Sequence, residues 1–569
     1  MKNIVKSIDN SIKYLKIFRK YISGQSLPDW KKINKSKTKK KILNKKKENI
    51  LIPVSAGGLE KSLVFESMIG STLQYEGFNV EYLLCDELLP ACIMATNNKI
   101  NSDDFNKHGS KKICSYCFIR AKNYLETTGA KVLKFSDLIS KEEFNQIKKI
   151  DFTNLSIDEM KNMKVDDVSV GEHANSGTIR YFASSDFHSY DLAKEIMAKY
   201  LRSSIITKKV SENLFKKKKY KELFINHGIY VPQGVILDTA KKFKINTSTW
   251  MVGYRRNSII ISRGDTYHRT LIYDNNNKWE NIEFTEKHEK KIDSYLKSRW
   301  TGSTDWEFYF KNPKFDVDNY FQKNNIDINR PIIGLATNVQ WDAQVSFPTN
   351  FFSNMLDWLF YTIDFFIKNN HLQLIIRIHP AELNISKFSL QRTEIDIEKK
   401  YSKLPNNILI VKPGDNISTY SLFDKCNSVI VYGSKIGSET AATNIPTAVC
   451  GESFIRNKNI AIDINSIKEY DKFLNQLPLS KNFMSSEKLQ RAKKYAYHFW
   501  FRKTMEFKSI YETNIYRGAS LQIKKNLFEI YDKKEDPALV ETINSIINGT
   551  DYILKDEEII DQNFGGSRF

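Results

Sequence analysis

Val429-Ile430-Val431-Tyr432-Gly433-Ser434-Lys435-Ile436-Gly437-Ser438-Glu439-Thr440-Ala441-Ala442-Thr443-Asn444-Ile445-Pro446-Thr447 decides how this chain folds. Four apolar or aromatic residues make a short buried strand, a Gly/Ser turn follows, and small residues open a helix. Asn444-Ile445-Pro446 then returns the chain directly to the sheet, which makes the unit parallel. At such a turn backbone N–H groups, the Ser434 and Ser438 hydroxyls, the flexible Gly437 and the Lys435 ammonium can converge on an anion at the helix start. Glu439, one turn further in, is placed to accept hydrogen bonds from a ribose. The plainer alternative is a strand, turn and helix whose glycines serve only close packing.

Working outward, the same grammar surrounds this stretch. Asn329-Arg330-Pro331 breaks the chain, and the spacing then predicts strands at 332–336, 372–378, 407–411, 428–432 and 447–450, with helices at 351–368 and 437–443. Residues 328–485 therefore read as one parallel α/β domain. Ile375-Ile376-Arg377-Ile378-His379-Pro380 is an apolar strand stopped by a proline, which presents His379 at its carboxyl end with Arg377 two residues earlier. Thr337-Asn338-Val339-Gln340-Trp341-Asp342 follows the first strand of this domain, and Asn338, Gln340 and Asp342 crowd hydrogen-bonding groups onto that strand end, either to read a ligand or to form an Asx-type turn.

Residues 48–327 repeat the pattern less regularly, with strands expected at 49–54, 79–84, 222–226 and 247–252, a helix at 61–76 and a long one at 190–218. Two such units in tandem predict an α/β protein of two Rossmann-like domains facing across a cleft, because open parallel sheets place their sites at the carboxyl ends of the strands. From Glu487 onward helical patterns dominate, so 486–569 is expected to be a helical appendage packed back across both domains.

Arg377-Ile378-His379-Pro380, followed some fifty residues later by Tyr432-Gly433-Ser434 and Gly437-Ser438-Glu439, resembles the donor-binding half of bacterial capsule polysaccharide biosynthesis glycosyltransferases. That GT-B group includes Kdo transferases and, more distantly, the glycerophosphotransferases of teichoic acid synthesis; the similarity covers mainly residues 330–455. It implies that His379, Ser434, Ser438 and Glu439 contact the phosphate and ribose of a nucleotide-activated sugar, CMP- or UDP-linked. The residue two before the histidine is often Lys in such families and is Arg377 here. With Lys435 and the 434–439 turn, Arg377 can neutralise a leaving phosphate, so no catalytic metal is expected. The implied acceptor is a bacterial surface polysaccharide, capsule or lipopolysaccharide, or its lipid-linked precursor. A CDP-polyol-dependent glycerol or ribitol phosphotransferase is a second reading, and a non-catalytic polysaccharide-binding or assembly protein a third.

An inverting transfer needs one base to deprotonate the acceptor hydroxyl. Three clusters in the first domain compete: Gly171-Glu172-His173-Ala174-Asn175-Ser176-Gly177, read as a Gly-bounded loop; Asn226-His227-Gly228; and Arg263-Gly264-Asp265-Thr266-Tyr267-His268. His173 with Glu172 is the first choice, and a retaining route through a carboxylate nucleophile such as Glu172 or Asp265 stays open. Asp316-Val317-Asp318 has the look of a metal-binding pair but falls in a predicted surface helix.

Four of the six cysteines cluster as Cys85-x6-Cys92-x21-Cys114-x2-Cys117. Four thiolates suit a structural zinc ion or an iron–sulfur cluster, with reduced buried cysteines as the plainer alternative. The chain has 569 residues, 87 Lys and Arg against 66 Asp and Glu, 41% hydrophobic and 27% charged residues, a composition that excludes a disordered or fibrous protein. Residues 1–47 hold sixteen Lys and Arg against two Asp, so a surplus of 14 sits in the leader and only 7 in the remaining 522 residues. That distribution argues against nucleic acid as a partner. Ile4, Ile8, Ile12, Leu15, Phe18 and Ile22 recur at helical spacing among lysines, and Lys31–Lys47 adds ten lysines in 17 residues. A basic amphipathic helix and polybasic linker can bind an anionic inner leaflet, or instead dock on the protein's own body. No stretch approaches the roughly 20 apolar residues of a membrane span, and no secretory signal is readable. A cytoplasmic protein, peripheral on the inner face of the membrane, is the expectation.

Overall fold

The computed structural model describes residues 27–37, 48–54, 56–97, 100–302, 305, 309–310, 312–383, 389–480, 483–515 and 518–556. The first domain is built on β1 (Asn49–Pro53), β2 (Asn79–Leu84), β3 (Lys131–Lys134), β4 (Glu222–Asn226), β5 (Asn246–Val252) and β6 (Ser258–Arg263). Its helices are α1 (Glu60–Tyr75), α2 (Lys111–Glu126), α3 (Val170–Phe182), α4 (Ala193–Lys217), α5 (Gln233–Lys242) and α6 (Glu286–Ser298). β1 to β5 are parallel, and β6 turns back antiparallel against β5. Successive residues of β1 point to opposite faces. Ile50 and Ile52 join a core with α1, while Leu51 joins a second core with α3, α4 and α5. Burial on both faces is why β1 reads as an unbroken apolar run.

The second sheet contains β7 (Ile332–Ala336), β8 (Gln373–Arg377), β9 (Ile408–Val411), β10 (Ser428–Val431), β11 (Thr447–Val449) and β12 (Ile462–Asp463), with α7 (Met355–Lys368) and α8 (Ile436–Ala442) among its helices. All its pairings are parallel, in the order β12-β11-β10-β7-β8-β9. The chain winds outward from β7 through β8 to β9, then reverses to β10 on the other side of β7. In the first sheet the same reversal falls between β1 and β4. Ligands of open α/β sheets bind at such reversal points, beyond the carboxyl ends of the strands. Val317, Phe321 and Ile326 already pack with Ile332, Val429 and Val431 in a core of the second sheet, and Lys314 bridges to Ile417, so the second domain begins upstream of the Pro331 break.

The end of the chain departs from a purely helical appendage. After α9 (Ser486–Tyr497), which packs on α6 and α8, and a π-helical turn at His498–Lys503, β13 (Thr504–Glu506) joins the first sheet antiparallel to β6. A hairpin of β14 (Ile510–Ile515) and β15 (Gly518–Ile523) follows, then α10 (Pro537–Asn548). The Lys61 ammonium meets Glu512 at 2.7 Å and the Tyr552 hydroxyl meets Ser248 at 2.6 Å, fixing these elements to the first domain. At the other terminus Asp29 caps a short helix, Trp30–Ile33, whose Trp30 and Ile33 are buried in the first core. Lys37 lies over the Phe528 ring, so this part of the expected linker is docked rather than solvated. The amphipathic stripe and most of the polybasic run, in 1–26 and 38–47, lie outside the described residues.

Candidate functional site

A cleft of about 1560 Å³ opens between the two domains. The loops that follow β4 on one side, and β7 and β10 on the other, contribute His227, Asn338, Gln340, Asp342, Gly433, Ser434 and Lys435 to its lining. These are the loops at which the strand orders reverse.

On the second-domain side His379 stands where the β8 strand end was expected to present it. Its backbone N–H donates to the Thr337 hydroxyl at 3.0 Å, and its Nδ1 accepts from the Ala381 N–H at 3.2 Å. With Nδ1 an acceptor, any proton sits on Nε2. Burial, reinforced by Lys435 and Arg377, pushes this imidazole down to about 4, so it is neutral near pH 7. Arg377 is 2% exposed and largely engaged: Nε donates to Thr419 at 3.1 Å, Nη1 to the Lys412 carbonyl at 2.8 Å and Nη2 to the Asp415 carbonyl at 3.3 Å. It braces the turn after β9 at the cleft wall.

The 434–439 turn divides between cleft and core. Ser434, Lys435 and Glu439 line the cleft, whereas Gly437 and Ser438 face inward. A Cβ on Gly437 would lie 2.8 Å from Ile455 and 3.1 Å from Val431, so this glycine lets α8 approach β10. The Ser438 hydroxyl is used on the Lys435 carbonyl at 2.8 Å. Glu439 is 2% exposed and held by a residue that sequence reasoning missed. Arg299, just beyond α6, places Nε 3.1 Å from Glu439 Oε1, pairs with Asp305, and stacks on Trp500. The Lys435 ammonium meets the same carboxylate oxygen at 3.3 Å and lies 5.0 Å above the Tyr254 ring. Burial raises the pKa of Glu439, but Arg299 and Lys435 outweigh it and the net shift is downward. Oε2 has no hydrogen-bond partner among the described residues and is itself buried behind the cleft wall. Nothing local in the sequence joins Arg299 to Glu439, 140 positions later; only the docking of the two domains does.

The loop after β7 ties the domains together. Asp342 pairs with Arg180 of α3, whose Nη1 also donates to the Tyr230 hydroxyl at 3.0 Å. Gln340 accepts from the Ser185 hydroxyl at 3.1 Å and donates to Thr393 at 2.9 Å. Asn338 accepts from the Gly433 N–H at 3.3 Å, fixing the backbone of the turn after β10. All three line the cleft, and each carries a structural bond as well.

On the first-domain side the structure corrects the expected Gly-bounded loop: 171–177 lies within helix α3. A Cβ on Gly171 would sit 2.2 Å from the Met160 carbonyl, and one on Gly177 2.7 Å from the Tyr200 ring, so both glycines serve helix packing. His173 is 4% exposed, with Nδ1 2.7 Å from the Ile229 carbonyl and Nε2 3.0 Å from Asp238. Both partners are acceptors, so both ring nitrogens carry protons. Burial alone would lower its pKa, but Asp238 outweighs burial and raises it. An imidazolium with two committed donors, away from the cleft lining, cannot take a proton from an acceptor. Asp265 also lies off the cleft, paired with Lys241 at 2.8 Å, while Glu172 lines it and is held by Arg269.

The cleft histidines are those of the other two clusters. His227 follows β4, its ring tilted against Tyr230 with centroids 4.7 Å apart; the His268 ring lies 5.9 Å from that of His227. His227 Nδ1 and His268 Nε2 have no hydrogen-bond partner among the described residues. Burial lowers both pKa values, that of His268 to about 4, so both rings are neutral and weakly basic. The Asp-x-Asp pair is off the cleft, Asp316 capping the helix at Val317–Lys323.

Cys85, Cys92, Cys114 and Cys117 converge, as the spacing anticipated, on one small cavity beside the carboxyl ends of β1 and β2. Among the described residues no group of three or more His, Cys, Asp or Glu is placed to hold a single metal ion. No described helix is long and apolar enough to cross a membrane.

No family model matches the chain, and no curated protein matches it. Among solved structures it is similar to Thermosulfurimonas dismutans KpsC, beta Kdo 2,4 transferase, at 12% identity over 49% of this chain and 79% of that one, with a TM-score of 0.34. The beta Kdo 2,7 transferase of the same KpsC is 14% identical over 57% and 89%, with a TM-score of 0.29. Methanocaldococcus jannaschii UDP-GlcNAc 2-epimerase, in complex with UDP-GlcNAc and UDP, is 12% identical over 79% and 99%, with a TM-score of 0.28. Two Rossmann-like α/β domains face each other across the cleft, and the C-terminal segment crosses back to join the first sheet.

Proposed function

We propose that this protein is a glycosyltransferase that moves a sugar from a nucleotide-activated donor, held by the second domain, to a glycan or glycolipid acceptor held by the first. One observation carries the reading. The interdomain cleft sets Lys435, Ser434 and His379 on the wall of one sheet opposite two neutral imidazoles, His227 and His268, on the wall of the other, each with one nitrogen that has no hydrogen-bond partner among the described residues. A leaving nucleotide gains negative charge as the glycosidic bond breaks, and a fixed ammonium with aligned hydroxyl and N–H donors stabilises that charge. Transfer on this reading needs no metal, because Lys435 sits where the charge develops. The acceptor must lose a proton, and His227 or His268 takes it. An anionic donor entering the cleft raises their pKa values toward the working range, so the base strengthens only when the donor is bound. Glu439, part of the same cleft lining, is the carboxylate assigned to the ribose hydroxyls.

The acceptor is proposed to be a surface polysaccharide or its lipid-linked precursor at the inner face of the membrane, reached through the basic leader. This part rests on the Arg377–Pro380 and Tyr432–Glu439 resemblance and on the leader's charge.

Thermal unfolding with a panel of CMP-, UDP- and CDP-linked ligands tests the reading. A ligand at 100 times its Kd stabilises by about 2.7 kcal/mol, a readily measured shift. A CMP- or UDP-sugar is expected to shift the wild type, and Lys435→Ala to lose most of that shift. A response to CDP-polyols alone would move the assignment to polyol-phosphate transfer, and no nucleotide response would leave a non-catalytic protein.

A further inference from the structure

On the reading of the cleft as a nucleotide-sugar site, on which this step rests, we infer that Arg299 is a positioning residue supplied by the opposite domain: by carrying the charge of Glu439, it lets Lys435 exchange that carboxylate for a donor phosphate.

Two cations meet one carboxylate oxygen. Arg299 Nε lies 3.1 Å and Lys435 Nζ 3.3 Å from the same Glu439 Oε1, and both cations lie near the Trp500 ring, 5.2 and 5.6 Å from its centroid. With Asp305, which pairs with Arg299, the group holds two positive and two negative charges. The two cations are held differently. The Arg299 side chain is 7% exposed, donates from Nε to the Tyr420 hydroxyl at 3.2 Å, and stands at the end of α6, whose Tyr295 and Leu296 are buried in the first core. Its partner Asp305 is fixed in turn: the carboxylate accepts from the Tyr295 hydroxyl at 3.1 Å and the backbone carbonyl from Arg256 at 3.2 Å. Lys435, at the start of α8, has a 27% exposed side chain and lines the cleft.

That difference decides which cation can leave. A buried carboxylate stripped of its cation is strongly destabilising, so a lysine alone on Glu439 would be held there and a phosphate would have to compete for it. With Arg299 in place, the carboxylate keeps a partner when the ammonium turns away. An ammonium on a rotatable four-carbon stem can make that turn, whereas a guanidinium anchored on Asp305 and Tyr420 stays where it is. Without Arg299, one cation would face two carboxylates, and a cleft wall of net negative charge would repel an anionic donor. Arg299 belongs to the first domain and Glu439 to the second, so the exchange is available only while the domains are docked.

A double-mutant cycle on the full chain tests this, with affinities for CMP and UDP measured by isothermal titration at constant pH. Arg299→Gln is expected to weaken binding of the nucleotide that the wild type takes by about tenfold or more. In a Glu439→Gln background no carboxylate holds Lys435, and the same substitution should weaken binding by less than about threefold. A residue that merely shaped the wall would lose equally in both backgrounds. Should Arg299→Gln fail to fold, Arg299→Lys takes its place: it keeps a cation for Glu439 and should bind within about threefold of wild type, and a loss of about tenfold there overturns the inference. Undiminished binding by Arg299→Gln, or equal losses in the two backgrounds, overturns the inference and leaves the donor site standing. A wild type that binds neither nucleotide overturns the donor site and the inference together.

Discussion

Whether a histidine in this protein can act as a base depends on the partners of its two nitrogens. His173, placed beside Glu172 in the sequence, spends both on acceptors, whereas His227 and His268 keep one nitrogen each without a partner among the described residues. Replacing the acting base with Asn should lower transfer by about 100-fold or more while leaving the nucleotide-induced shift in unfolding temperature intact. Steady-state rates of His227→Asn and His268→Asn identify which ring it is, and full activity in both would remove the proton-transfer role from this wall. His379 makes a second prediction at this scale. Its folded pKa, pushed down to about 4, lies below the ordinary 6.5, so the folded state binds fewer protons than the unfolded state between those values. Its contribution to stability is therefore complete above about pH 6.5 and is lost as pH falls, by up to about 1.4 kcal/mol per pH unit. His379→Asn lacks this penalty, so its unfolding temperature relative to wild type should rise as pH falls from 7 to 4.5. A constant difference across that range would show that His379 is not buried as a neutral ring.

At the scale of elements, two glycines misdirect a reading by residue type. Gly171 and Gly177 bound a polar stretch and suggest a loop, but they sit in α3 because its neighbours leave no room for a Cβ. Gly177→Ala should place a methyl group against the Tyr200 ring and destabilise the fold by about 1–3 kcal/mol, measurable in denaturant titration. The higher helix propensity of alanine opposes this by about 1 kcal/mol, so a net gain in stability would mean that α4 moves aside. The loop after β7 is likewise more than a ligand reader: Asn338, Gln340 and Asp342 each also hold a neighbouring strand turn or the opposite domain.

For the whole molecule, the segments near the termini bear on stability and, on the proposed reading, on location. β13 completes the first sheet, and Trp30 and Ile33 fill its core, so neither of these two segments is a detachable addition. Two truncations should therefore behave differently. Removing residues 1–26 leaves the docked Trp30–Ile33 helix and should keep the unfolding temperature while reducing binding to anionic vesicles. Removing residues 1–37 strips two buried side chains and should lower stability by about 3 kcal/mol or more. Vesicle binding by the full chain should weaken with salt, since charge attraction is screened beyond about 8 Å at physiological ionic strength. Undiminished vesicle binding after loss of 1–26 would move the membrane contact elsewhere on the protein.

The sequence by itself determined most of the parallel strands, because their apolar runs and Gly, Pro and Asn boundaries are local, but not the edge strands β3 and β12. It also determined that His379 and the Ser434–Lys435 turn stand at strand ends, and that four cysteines belong together. It read the end of the chain as helical, since the alternation of Ile510, Leu521 and Ile523 in short strands is weak against flanking helical patterns. Tertiary structure alone decided which polar residues face the cleft. Gly437 and Ser438 turn inward because α8 must lie close on β10, His173 is claimed by Asp238 of the neighbouring α5, and Arg299 reaches Glu439 only once the domains dock. Periodicity along a chain fixes which face of an element is buried. The partners that meet a particular side chain come from distant segments, and their positions are set by packing.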